Sequence, residues 1–163
     1  MGKIYELIAT GFYVGKIKKA PGTWGSLLAV FGWFFDNWFL EKFAGGNWQI
    51  YWLIALAALC FLSVKSTEFY QNKYDKKDAP EIVIDEICGQ ILLFYIFSLF
   101  AGKMVLSWPL LLLGFVLFRL FDITKPFPIC LVDKNLKTPF GVLLDDLIAG
   151  FFGAIVMILA YPI

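Results

Sequence analysis

The chain has 163 residues, 60% of them apolar, with a net charge of +1, three isolated cysteines and no histidine. Soluble domains are about 45–50% apolar, so the mean hydropathy of +0.75 points to lipid as part of this chain's solvent, and the near-zero charge provides no broad electrostatic field that argues for nucleic acid. Cys60, Cys88 and Cys130 form no C-x-x-C, which excludes a zinc or disulfide framework.

The length fits a single membrane-embedded domain, 1–163. Its N-terminal stretch, MGKIYELIATGFYVGKIKKAPG, has no long apolar core and no small-residue cleavage site. It reads as an amphipathic segment near a membrane surface. Pro21-Gly22 then makes a turn, Thr23 is expected to cap the first membrane helix, 24–40, and the free N–H groups around Gly22 and Thr23 make an anion site. The second helix, 46–65, follows an outer turn at Gly45-Gly46-Asn47 and contains most of the longest uncharged run, Phe43–Val64. That run alone comfortably meets the 17–25 residues a spanning helix needs.

An inner loop, Ser66–Glu86, leads to the third helix, 86–101. A turn at Ala101-Gly102-Lys103 precedes the fourth, 104–121. The second inner loop, Asp122–Leu144, carries Pro126, Pro128 and Pro139, none of which suits a helix interior. A fifth helix, 146–161, closes the chain. The expected fold is therefore all-α, with about five membrane helices and a polar site on the cytoplasmic face.

Orientation follows from the cations. Five spans put Lys3, Lys16, Lys18, Lys19, Lys65, Lys73, Lys76, Lys77, Arg119, Lys125, Lys134 and Lys137 on one side, and only Lys42 and Lys103 on the other. Basic loops stay in the cytoplasm, so the N-terminus is expected inside.

The unusual polar residues fall on that inner face. Glu81–Gly89 and Val142–Gly150 share a pattern of apolar residues, an acid pair, two apolar residues and a small one. Asp85-Glu86 and Asp145-Asp146 are the pairs, and each is expected at the mouth of a membrane helix. One such pair is explained by a favourable interaction with a helix N-terminus. Two matched pairs at the edge of lipid call for a counter-charge. Arg119, Asp122 and Lys125 recur every third residue where the fourth helix leaves the membrane, which places them near one helical face. Five carboxylates crowded together need a cation. Oxygen ligands without His or Cys suit Mg²⁺, and two cations beside it suit a phosphate. That chemistry is metal-assisted phosphoryl hydrolysis. The alternative is a small ion-binding transporter or channel component that uses the same carboxylates; a structural membrane protein with helix-capping acids is a third class.

Four blocks carry a resemblance: APGTWGSL (20–27), IVIDEICG (82–89), FRLFDITKPFPI (118–129) and GVLLDDLIAG (141–150). Together the chain resembles the phosphatidylglycerophosphatase A family. The resemblance implies a bacterial inner-membrane, multi-pass enzyme, Mg²⁺-dependent, that hydrolyses the terminal phosphate monoester of phosphatidylglycerophosphate at the cytoplasmic face. It maps the family's acids onto Asp85, Glu86, Asp122, Asp145 and Asp146, its cations onto Arg119 and Lys125, and its turn threonine onto Thr23. Asp133 also stands where similar members have an acid. On this reading Asp85, Glu86, Asp145 and Asp146 hold metal, and Asp85, Asp122 and Asp145 are the catalytic candidates. Gly22, Thr23, Arg119 and Lys125 receive the substrate. Members often have Pro where this chain has Lys18, and many have a Gly pair where it has Thr138-Pro139.

A Gly150–Ala154 or Ala149–Gly153 face on the last helix is expected to pack against the third helix near Gly89, bringing the acid pairs together.

Overall fold

Apolar residues at helical spacing, with Glu6 on the same short stretch, form the first helix, α1 (Gly2–Ala9). A computed structural model of the chain describes residues 2–43, 47–77, 79–103 and 107–161, with backbone alone for 41–43. The expected turn at Gly45-Gly46 and the expected helix start at 104 lie outside the described residues. After a 3-10 turn at Val14–Lys16 come α2 (Pro21–Phe43), α3 (Trp48–Tyr74), α4 (Ile84–Ala101), α5 (Trp108–Thr124), α6 (Ile129–Asn135) and α7 (Pro139–Ala160). The described residues contain no strand.

The five long helices correspond to the five expected, but three, α3, α4 and α7, are long and apolar enough to cross a membrane. α2 has 23 residues, yet Asp36, Asn37, Glu41 and Lys42 interrupt its outer half. α5 has 17 residues, one fewer than α4 and at the lower edge of the length a spanning helix needs. Around the bundle Phe31, Phe35, Ile54, Phe61, Leu112, Val116 and Leu159 all point outward, an apolar surface suited to lipid.

α4 is the central helix. It touches α2, α3, α5 and α7, most extensively α7, and it is apolar on nearly every side, as a helix without a solvent face must be. Its contact with α7 depends on small residues. A methyl group on Gly150 would overlap the carbonyl oxygen of Gly89, and one on Gly89 would lie 2.5 Å from the carbonyl oxygen of Asp146. Gly153 sits against Leu93 in the same way. The expected packing of the Gly150 face on Gly89 is therefore present, and it brings the backbones of the two acid-bearing turns into contact.

Other expectations are corrected. α3 continues through Tyr74 rather than ending at 65, so the first part of the expected Ser66–Glu86 loop is helical. The reason is tertiary: Lys73 Nζ lies 2.5 Å from Glu6 Oε2, and Lys16 Nζ lies 2.6 Å from Glu6 Oε1, so the charged overhang of α3 docks on α1. Tyr5 and Phe69 complete that contact, with ring centroids 5.6 Å apart. α1, the amphipathic N-terminal segment, is thus fastened to α3. The second inner loop is also shorter than expected, because it contains α6 and because Pro139 occupies the first turn of α7, where a missing N–H is harmless. Thr138 caps α7, its Oγ1 accepting from Gly141 N at 3.1 Å. Thr138-Pro139 therefore starts a helix.

Asn37, fully buried in α2, accepts from Trp52 Nε1 through Oδ1 at 2.7 Å and donates through Nδ2 to Trp33 O at 2.8 Å. Trp33 and Trp52 stack at 4.5 Å. This pins α2 to α3 near the end of the bundle opposite the acids.

The Glu6 cluster makes one prediction. Hydrogen bonds from Lys16 and then Lys73 lower the Glu6 pKa from 4.5 to about 2. A carboxylate with a depressed folded-state pKa contributes stability above its unfolded pKa and loses it as pH falls through the folded value. Glu6→Gln is therefore expected to lower the melting temperature by a few degrees at pH 7, with the gap to the parent closing as pH falls from 4.5 towards about 2. Thermal denaturation in detergent across that range checks it.

Candidate active site

α2, α4 and α7 begin at one end of the bundle, where α3 and α5 finish, and the charged residues of the site collect there. The linker before α4 is held first. Val83 is fully buried and donates its N–H to Ala9 O at 2.9 Å. Gly25 of α2 packs directly on Val83, and Gly15 on the carbonyl of Glu81. Side chains at Gly15 and Gly25 would push this linker away. Held in this way, α4 starts at Ile84 and places Asp85 and Glu86 in its first turn. Asp85 Oδ1 accepts from Glu86 N at 3.1 Å.

Asp145 and Asp146 were expected at a helix mouth, but α7 begins at Pro139 and no acid lies in its first turn. Interaction with a helix N-terminus falls off within the first turn and so does not explain them. Both are buried, at 6% and 5% exposure, as is Asp85 at 5%. Buried acids at this depth require an opposite charge.

The four acids divide. One oxygen each from Asp85, Glu86 and Asp146 lie within 4.8 Å of one another, close enough to share one cation. Glu86 Oε2 is buried with no hydrogen-bond partner. Asp145 faces the other way: its Oδ2 accepts from Lys125 Nζ at 2.6 Å, while its Oδ1 is buried and without a partner. All four line one cavity of about 110 Å³ with Asp122, Lys125 and Lys77. It has room for an ion and several waters, but the acyl chains of a lipid must stay outside.

Lys125 closes α5 in a left-handed conformation, φ 41°, which turns its side chain out of the helical row. It therefore leaves the face it was expected to share with Arg119 and Asp122 and reaches both Asp145 and Asp133 of α6, the latter at 2.7 Å. Burial alone would lower the Lys125 pKa, but the hydrogen bonds to Asp133 and Asp145 outweigh it and raise it above the ordinary lysine value. The same bond from Lys125 lowers the Asp133 pKa. Arg119 pairs with Asp122 at 2.5 Å and donates to Ser26 Oγ at 3.4 Å.

Gly22 abuts both Glu86 and Arg119: a methyl group there would overlap Glu86 Oε1 and approach Arg119 Nη1 to 3.1 Å. Thr23 is not the cap of α2. The helix begins at Pro21, and Thr23 lies inside the first turn with its N–H on Ala20 O at 3.0 Å. Ala20, at φ 50°, makes the bend. Gly22, Thr23 and Arg119 all lie outside the cavity lining. Sequence reading missed Ser26 and Lys77 as parts of this site. The signal for Ser26 was its position one turn after Gly22, where its hydroxyl bonds the Gly22 carbonyl at 2.9 Å.

The donor set fits a hard divalent cation: all-oxygen, buried, close together and with Glu86 Oε2 left without a hydrogen-bond partner. Residues 7–161 match the family model described as phosphatidylglycerophosphatase A. Curated relatives include a Haemophilus influenzae protein named phosphatidylglycerophosphatase A, 36% identical over 93% of this chain and 85% of the relative. An Escherichia coli protein of the same name is 31% identical over 94% of this chain and 81% of the relative. A Bacteroides thetaiotaomicron protein named putative phosphatidylinositol-3-phosphatase is 32% identical over 94% and 91%. No solved structure gives a significant match.

Proposed function

Because the chain belongs to the phosphatidylglycerophosphatase A family, we propose that it hydrolyses the terminal phosphate monoester of phosphatidylglycerophosphate, releasing phosphatidylglycerol and phosphate at the cytoplasmic face of a bacterial inner membrane. The observation that carries this reading is the meeting of both acid pairs with Lys125 in one cavity where the membrane helices begin. The cavity is too small for acyl chains, so the lipid body remains in the bilayer and only the headgroup enters.

Asp85, Glu86 and Asp146 would hold Mg²⁺, which when bound lowers the pKa of a coordinated water and offsets phosphate charge. Lys125 supplies a positive charge to the non-bridging oxygens, held in place by Asp133 and Asp145. Asp145 Oδ1, buried and unpartnered, accepts the proton of the attacking water. Asp122 orients Arg119, and Arg119 with the α2 turn at Gly22 forms the wall on the other side of Glu86.

Purified protein in detergent with Mg²⁺ is expected to release phosphate from phosphatidylglycerophosphate and to stop on addition of EDTA. Faster release from phosphatidylinositol 3-phosphate would overturn the substrate assignment. Release that survives EDTA would overturn the metal assignment and leave the substrate standing.

A further inference from the structure

Gln90 lies on α4 one turn beyond Glu86. It is fully buried, and neither its Oε1 nor its Nε2 has a hydrogen-bond partner. An unpaired buried amide is unfavourable, and native proteins rarely keep one without a use. Apolar residues fill the same helix just above it, with Leu93, Phe94 and Phe97 all fully buried, so an apolar side chain would fit this position.

Helix geometry sets where the amide points. Residues four apart share a face, and helical side chains lean towards the N-terminus of their helix. Both put the Gln90 carboxamide on the side of the turn bearing Glu86, below the cavity lining and not hydrogen-bonded to Glu86 in this structure. Two further buried atoms there lack partners, Glu86 Oε2 and Arg119 Nε. Ser26 and Gly22 of α2 hold those side chains together: Ser26 Oγ accepts from Arg119, and Gly22 touches both Arg119 and Glu86. Gln90 offers both a donor and an acceptor, so it complements an anionic oxygen and a water at once.

We propose that Gln90 is a positioning residue that forms the membrane-side floor of the cation site. With a cation bound, its Nε2 would donate to Glu86 Oε2, to which it makes no hydrogen bond in this structure, and its Oε1 would accept from a water on the cation. This rests on the metal reading above, and it adds an uncharged residue, one turn deeper than the acids, to the groups that set cation affinity.

The test uses Mn²⁺ as probe, with binding to the purified full chain followed by electron paramagnetic resonance and by the Mn²⁺-induced rise in melting temperature. Gln90→Met keeps the length of the side chain and removes its polarity. It is expected to weaken Mn²⁺ binding about tenfold or more, to leave the metal-free melting temperature unchanged or higher, and to raise the Mg²⁺ concentration for half-maximal activity without changing KM for the lipid. Gln90→Glu adds an anionic oxygen facing the cation, and its Mn²⁺-induced rise in melting temperature is expected to exceed the parent's. Unchanged Mn²⁺ affinity in Gln90→Met overturns the inference alone. Should that variant fail to fold, a Gln90→Glu rise no larger than the parent's overturns it. A parent chain that binds no Mn²⁺ overturns the metal reading together with the inference.

Discussion

Asp146→Asn is expected to reduce phosphate release on the order of 10²–10³-fold, the scale seen when one preorganised electrostatic group is removed from a reacting centre. Asp146 is one of three acids whose oxygens lie within 4.8 Å, and it is buried with no basic partner among the described ion pairs. An amide is a poorer ligand for a hard cation than a carboxylate, while its shape is nearly the same. The metal-free protein should therefore keep or raise its melting temperature, since a buried charge has been removed, and only the gain on adding Mg²⁺ should shrink. This separates a ligand from a structural residue, because a structural residue would lower the metal-free value. Asp36→Asn, an exposed acid near the opposite end of α2, is the control expected to keep full activity. If Asp146→Asn and Asp85→Asn both retain parental rates and parental Mg²⁺ stabilisation, the shared-cation site is wrong.

Gly150→Leu is expected to damage both the α4–α7 contact and the activity that depends on it. No room exists for a side chain there, because the carbonyl oxygen of Gly89 already occupies the space that a methyl group would need. The obstacle is backbone, so a rotamer change cannot relieve it. Overpacking of this kind costs about 1–3 kcal/mol, and occasionally more, and α4 and α7 must separate to accommodate it. Separation moves Asp146 away from Asp85 and Glu86, and misplacement by about 1 Å at a reacting centre can lower rates about a hundredfold. Gly150→Ala should show the same effects in weaker form, losing Mg²⁺ stabilisation before it loses the fold. Melting curves with and without Mg²⁺, read beside phosphate release, check both variants. A Gly150→Leu protein with parental melting temperature and activity would show that the α4–α7 contact does not position the acids.

Much of the architecture was readable from residue order. Uncharged runs located the five long helices, since a chain in lipid must satisfy its backbone internally. The matched acid pairs, the lone arginine and the small residues at 89 and 150 pointed to one functional end and to the helix pair that builds it. Helix ends were less accessible. Charged residues after 65 look like a loop because sequence shows them without partners, whereas Glu6 reaches Lys73 across 67 positions of chain. Asp145 and Asp146 looked like residues at a helix start because Pro139 and Thr138 resemble loop residues until they are seen capping α7.

What the order of residues established is the apolar character of the chain, the number of long helices and a set of candidate acids and bases. Those follow from local properties: run length, charge and small-residue spacing. Only the tertiary structure divided the acids, giving Asp85, Glu86 and Asp146 to one another and Asp145 to Lys125, and only it exposed Gln90 as an unpaired amide beneath them. The reason is that adjacent residues on a helix point about 100° apart. Asp145 and Asp146 therefore face different neighbours, and which neighbours those are depends on how α4, α5 and α7 pack.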